Sequence, residues 1–329
     1  MRLRATRGSI GERLRPAARP WHAVLWRPAA LLTAALFALT ALAACAPSAL
    51  PGASPTPPIH VLAAENFYGS LAEQLGGSKV LVTSVIANPN TDPHDYEPTV
   101  ADARGVAEAS LVVYNGAGYD PWIGKLLGAN PNPAGRVEVN VGQLLDARAG
   151  ANPHFWYSPR AVRAVIARIT QSYKQLDPAD ASYFDELRAE FENRQLAPFD
   201  AAVTRIASNY AGVPVGASEG VVVPLIDTLR LDLVTPPAFL TAVSEGVDPT
   251  AADKATFDTQ IKTRRIKVFI YNRQNSTPDV LALADEARAA GIPVVTVTET
   301  LEPAGEKFQI WQTKQLQALD AALAQSTGR

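Results

Sequence analysis

The amino-acid sequence predicts an α/β protein in which two parallel-sheet lobes are joined by a long rigid helix. Three observations carry this expectation. Short β-rich runs alternate with amphipathic helical patterns in the first half of the chain, the same scheme returns in the second half, and an extended helical stretch separates the two. Strands that alternate with helices have room for crossover connections, so they pair in parallel and are covered by those helices.

The strands expected in the first half are Ile59–Glu65, Val80–Ile86, 111–115 and 136–140, with helical patterns over 68–75 and 100–109 between them. In the second half they are 213–218, 231–235, 267–272 and 293–298, with helical patterns over 221–229, 278–290 and 308–324. Between the halves, Ser158-Pro159 reads as an N-cap followed by proline at the first helical position, where its missing N–H costs nothing. That helix should end near Leu176, before Asp177-Pro178. A second helix over 179–210 then connects the lobes, kinked at Pro198. A helical connector is stiffer than extended crossings and would restrict lobe closure.

At 329 residues the chain has material for about two domains. Its 47% hydrophobic and 19% charged content describes a globular protein. The net charge of −2 hides an asymmetry: residues 1–44 carry seven Arg against one Glu, a balance of +6, which leaves about −8 on the remainder. An acidic body lacks the basic footprint of nucleic-acid binding and suits the handling of cations.

The basic N-terminal stretch is followed by an apolar run over 29–44, interrupted only by Thr33 and Thr40, and closes on Leu42-Ala43-Ala44-Cys45. This is a secretory signal pattern, too short for a comfortable membrane span. Cys45, the only cysteine, falls at the cleavage position, which resembles the lipobox of bacterial lipoproteins. The resemblance implies cleavage before Cys45 and a diacylglycerol on its thiol, and with that thiol used no intramolecular disulfide can form. The expected layout is a signal peptide over 1–44, a lipidated Cys and flexible Ala/Pro/Ser linker over 45–58, an N-terminal lobe over 59–178, the connecting helix over 179–210 and a C-terminal lobe over 211–329.

Four histidines are present, and two stand out. His94 lies in Asp92-Pro93-His94-Asp95-Tyr96-Glu97-Pro98, and His154 in Asn152-Pro153-His154-Phe155-Trp156. Each follows a proline, which restricts the backbone and can hold an imidazole in one direction. Neutral imidazole is a common ligand of first-row metals. Matching carboxylates should come from the second half. Glu219 follows the strand at 213–218 and Glu299 follows that at 293–298, and parallel sheets bind ligands beyond the carboxyl ends of their strands. Glu245 is a rival, because Ser244-Glu245-Gly246 repeats the Ser218-Glu219-Gly220 triplet, but no β-run precedes it. Asn115, Tyr96 and Trp156 are candidates for supporting the ligands from behind, as are Asp95 and Glu97.

From about Ile59 onward these motifs resemble the zinc/manganese-binding solute-binding lipoproteins of ABC metal importers, the cluster A-I family. The segment from Asp92 to Pro98 resembles that family's first His motif, Tyr114-Asn115-Gly116 with Trp122 the segment after it, and Asn152 to Trp156 the second. Glu219 is similar to the Glu branch of the family, where zinc-type members often place a third His; Glu299 stands where Asp is usual; and the His-rich loop of many zinc-type members is missing. The resemblance implies two α/β lobes, a rigid connecting helix and a buried metal held by His94, His154, Glu219 and Glu299.

Two imidazoles and two carboxylates are too hard a set for Cu(I), and the mature chain offers no Met. Mn²⁺, Zn²⁺ and Fe²⁺ all suit it. The expected activity is capture of one such ion between the lobes and its delivery to an ABC-type permease, by a monomeric, non-enzymatic protein anchored to the outer face of the cell membrane through lipidated Cys45. A secreted metal-dependent hydrolase and a surface adhesin are the alternatives. No His-Glu-x-x-His motif or nucleophile elbow is present.

Overall fold

The computed structural model describes residues 57–91, 96–131 and 135–329. The expected signal segment, Cys45 and the expected linker up to residue 56 lie outside the described residues, and so does His94 with its neighbours Asp92, Pro93 and Asp95.

The first lobe is built from β1 (Ile59–Glu65), α1 (Asn66–Gly76), β2 (Val80–Ile86), α2 (Val100–Glu108), β3 (Leu111–Tyr114), α3 (Pro121–Ala129), β4 (Val137–Asn140) and the single turn α4 (Val141–Leu144). Three helices follow: α5 (Pro159–Leu176), α6 (Ala181–Glu190) and α7 (Ala197–Asn209). The second lobe runs β5 (Pro214–Ala217), α8 (Val223–Leu229), β6 (Asp232–Leu233), α9 (Pro237–Ser244), α10 (Ala251–Lys262), β7 (Val268–Asn272), α11 (Pro278–Ala289), β8 (Val294–Val297) and α12 (Phe308–Thr327).

Each lobe holds a four-stranded sheet, ordered β2-β1-β3-β4 and β6-β5-β7-β8, with every pairing parallel. The two-lobed α/β class read from the alternating pattern is therefore the observed one. Both sheets reverse their strand order at the same place, between β1 and β3 and between β5 and β7. The crevice beyond the carboxyl ends at such a reversal is where doubly wound sheets hold ligands. Inner strands covered on both faces read as continuous apolar runs. Val268–Asn272 is buried throughout, as is all of Ile59–Glu65 except His60.

Local sequence explains most of the helix starts. Thr99 and Asp102 form a reciprocal capping box at α2. Ser158 caps α5 through the Ala161 N–H, with Pro159 at the first position. The connector differs from the single kinked helix expected over 179–210. A short turn at Pro178–Asp180 leads into α6, and a π-turn at Phe191–Gln195 separates α6 from α7. Pro198, in the first turn of α7, cannot donate to the carbonyl four residues back and its ring collides with that carbonyl. The wider turn relieves this, and Leu196 donates to the Phe191 carbonyl at 2.9 Å, five residues back.

One apolar core runs through both lobes, joining Val61, Phe67 and Trp156 to Val215, Ile270 and Trp311. Smaller clusters lie on the outer faces of the two sheets. Polar bonds cross the same interface: Tyr157 donates to the Thr298 carbonyl at 2.7 Å, and the Leu301 N–H donates to Asn66 Oδ1 at 3.1 Å. Apolar area withdrawn from water stabilises by about 25 cal/mol per Å², so opening the lobes far enough to wet this core is costly. Small displacements at its rim are the cheap ones.

Candidate metal site

His154 sits in the loop that leaves α4, immediately before a one-turn 3-10 helix at Phe155–Tyr157. It is 1% exposed. Its Nδ1 lies 2.8 Å from Asn152 Oδ1, which also accepts the His154 backbone N–H at 3.0 Å. The other end of that side chain donates from Nδ2 to the Gly220 carbonyl at 2.7 Å. A carbonyl can only accept, so the Asn152 amide group must face Gly220 and its oxygen must face the imidazole. Nδ1 therefore carries the proton, and the lone pair is on Nε2. Trp156 closes the ring in, its centroid 5.2 Å from that of His154, while stacking on Phe67 at 4.2 Å.

Glu219 lies just past β5 in extended backbone, and Glu299 just past β8. Both are buried. Asn272, the last residue of β7, donates from one amide nitrogen to Oε1 of Glu219 and to Oε1 of Glu299, the latter at 2.8 Å. Asn275 donates to the second oxygen of Glu219 at 3.1 Å, with the Ser244 hydroxyl 3.4 Å away. Tyr119 reaches across from the first lobe and donates to Glu299 Oε2 at 3.0 Å. Gln274 accepts the backbone N–H groups of Glu299 and Thr300 and donates to the Pro89 carbonyl, tying the Glu299 loop to the first lobe.

His154 Nε2 faces Glu299 Oε2 at 3.9 Å. That gap is wider than a hydrogen bond and narrower than twice an ion–ligand bond of about 2.1 Å, so one ion can touch both atoms. Burial, followed by the charge of Glu299, pushes the Glu219 carboxyl up to about 8, against the pull of the Asn272, Asn275 and Ser244 hydrogen bonds. Two acids held together out of water in this way favour a cation between them. A cleft of about 770 Å³ opens over the cluster, lined by Asn152, His154, Gly220, Asn275 and Glu299 among others. Among the described residues, no group of three or more His, Cys, Asp or Glu side chains is placed to hold a metal ion.

The structure sets His154 opposite Glu299 and joins Glu299 to Glu219 through Asn272, while His94, the fourth residue of the expected set, lies outside the described residues. The rival Glu245 is exposed at the end of α9. Asn115 is buried and donates to the Pro153 carbonyl at 2.9 Å, so it touches the backbone before His154 rather than the ring. Tyr96 reaches none of the three: it donates to Asp102 at 2.8 Å and packs edge-on against Trp122. Glu97 is exposed. Sequence reading missed Asn152, Asn272 and Tyr119. Asn152 stood in the His154 motif and Asn272 at a strand end, which were usable signals; Tyr119 had none.

An imidazole and one of two paired carboxylates thus line a cleft of a bilobal α/β protein whose two sheets are both parallel. The chain belongs to the ZnuA family, described as zinc-uptake complex component A, periplasmic, whose profile matches residues 61–322. It is similar to the manganese-binding lipoprotein MntA of Halalkalibacterium halodurans, 26% identical over 129 residues that cover 38% of this chain and 42% of that protein. It is also similar to the zinc-binding lipoprotein AdcA of Streptococcus pneumoniae, 24% identical over 273 residues, 75% of this chain and 52% of the relative. The chain spans about half the length of the curated relatives it matches. Among solved structures, the periplasmic zinc binding protein TroA from Treponema pallidum shares the fold with a TM-score of 0.67 at 19% identity, covering 82% of this chain and 99% of that one.

Proposed function

We propose that this protein captures a divalent transition-metal ion, Mn²⁺ or Zn²⁺ with Fe²⁺ also suited, between its lobes and delivers it to an ABC-type permease. In this reading it is not an enzyme, and it is held at the outer face of the cell membrane by lipidated Cys45. The observation that carries the reading is the buried Glu219–Glu299 pair with His154 Nε2 facing it across 3.9 Å. The family and the names of the relatives support it.

His94 and His154 supply imidazole nitrogens from the first lobe, and Glu219 and Glu299 supply oxygens from the second. The two carboxylates neutralise the dication, which lowers the cost of burying it. Because the ligands are split between lobes, a small displacement of one lobe parts the set and releases the ion to the permease. Zinc should bind more tightly than manganese in vitro by the usual affinity order, so tightness alone does not identify the cargo.

The test is metal analysis of a soluble form beginning after Cys45, with Mn²⁺ and Zn²⁺ in competition. About one ion per chain is expected. The double variant His94→Ala/His154→Ala should lose it, and Glu219→Ala should weaken binding far more than Glu245→Ala. Unchanged stoichiometry and affinity in the double His variant would remove the site.

A further inference from the structure

Glu65 ends β1 on the first lobe's side of the same crevice, at the place that Glu219 holds beyond β5 in the second. It is fully buried, and no N–H or O–H of another described residue donates to either of its oxygens. What it faces is another acid: β3 runs beside β1 with Val113 level with Ala63, so Asn115, two residues on, lies beside Glu65, and its N–H is held by Asp120, whose charge bears on the Glu65 carboxyl. Asp120 is 2% exposed and its oxygens are well supplied, accepting the Asn115 N–H at 2.6 Å and the Gly116 N–H at 2.7 Å. Among the described residues, the other titratable groups facing Glu65 are Tyr68 and Tyr119, with no Lys, Arg or His. Tyr68 directs its proton to Asn115 Oδ1 at 2.6 Å, and Tyr119 directs its own to Glu299.

Two carboxyl groups facing each other, out of water and with no cation beside them, cannot both be ionised. The acid with two backbone donors keeps the charge, and the acid to which no neighbour donates keeps a proton that it gives to the other as a hydrogen bond. We propose that Glu65 and Asp120 are a proton-sharing pair, Glu65 the neutral donor and Asp120 the ionised acceptor, and that the pair positions ligands of both lobes through the Asn115–Tyr119 turn. From that turn Asn115 holds the Pro153 carbonyl next to His154, and Tyr119 holds Glu299. The turn has no slack: at Gly116, φ is +67° and an added Cβ would lie 2.2 Å from Asn140 Oδ1. Burial, then the Asp120 charge, raises the Glu65 carboxyl well above the usual range, in agreement with the placement of the proton.

The positioning role rests on the metal-site reading; the proton-sharing pair does not, and the test keeps them apart. Infrared difference spectra of the metal-free protein at neutral pH, wild type minus Glu65→Gln, should show loss of a carboxylic-acid C=O band. Glu65→Gln, whose amide still donates to Asp120, should bind Zn²⁺ within about threefold of wild type, whereas folded Asp120→Asn and Glu65→Leu should bind about 10- to 100-fold more weakly. Absence of the band, or a Glu65→Gln as weak as Glu65→Leu, would overturn the pair. A folded Asp120→Asn with wild-type affinity would overturn the positioning role. A wild type that binds no Zn²⁺ would overturn the metal reading and leave the infrared result to decide the pair.

Discussion

The side-chain amide of Asn152 donates to the Gly220 carbonyl at 2.7 Å, and this bond ties the loop that presents His154 to the loop that presents Glu219. The oxygen of the same side chain holds Nδ1 of His154. One residue thus sets the imidazole tautomer and the distance between lobes at the site.

Asn152→Ala should therefore weaken both binding and folding. Side chains that orient metal-bound histidines typically cost about 10- to 100-fold in affinity when removed. Asn152→Ala also removes three hydrogen bonds, and each costs stability about 1 kcal/mol. Competition titration with Zn²⁺ and Mn²⁺, paired with urea unfolding of the metal-free protein, separates the two effects. Wild-type affinity in Asn152→Ala would show that the ring is oriented by something else.

Asn272 donates to both carboxylates, so Asn272→Asp replaces a shared donor with a third buried acid. Like charges packed out of water repel, and the metal-free variant should melt well below wild type. Saturating Zn²⁺ should recover more of the melting temperature in the variant than in wild type, because the ion offsets a larger repulsion. Thermal melts with and without Zn²⁺ measure this directly; a variant that melts with wild type when metal-free would mean that the pair is not repulsive.

The pH dependence of the metal-free protein has a definite sign. An unfolded Glu219 ionises near 4.5 and the folded one near 8, so between these values the unfolded chain holds fewer protons and stability declines as pH rises. Below 4.5 both states are protonated and the contribution vanishes; above 8 the loss is complete. Its size is on the order of a few kcal/mol, because each tenfold difference in proton affinity between the two states corresponds to about 1.4 kcal/mol. Glu219→Gln should flatten this decline by about one proton's worth in urea midpoints taken across the range. A slope identical to wild type would show that Glu219 does not titrate in that window.

Some of the site was legible because its determinants are contiguous. Ser158-Pro159 reads as a helix start from two neighbours, His154 stands out through the proline before it, and Glu299 reads as a strand-end residue from the β-run before it. The two Ser-Glu-Gly triplets were harder, since their local sequence is the same. Only the preceding strand favoured Glu219 over Glu245, and burial then separated them. Tyr96 neighbours His94 in sequence, and the structure shows its hydroxyl on Asp102, six residues on, and its ring against Trp122.

What the sequence by itself determined was the alternation of strands and helices, the helix caps, a basic-then-apolar N-terminal pattern ending at Cys45 and the residue types able to hold a metal. These follow from periodicity, backbone restriction and side-chain chemistry, all properties of short segments. Only the tertiary structure decided that Asn272 stands between Glu219 and Glu299, that Tyr119 crosses to Glu299 and that Glu65 faces Asp120. Those relationships join residues from 27 to 180 positions apart and arise from how two sheets and one shared core pack. No local propensity encodes such a distance; the close packing of the interior does.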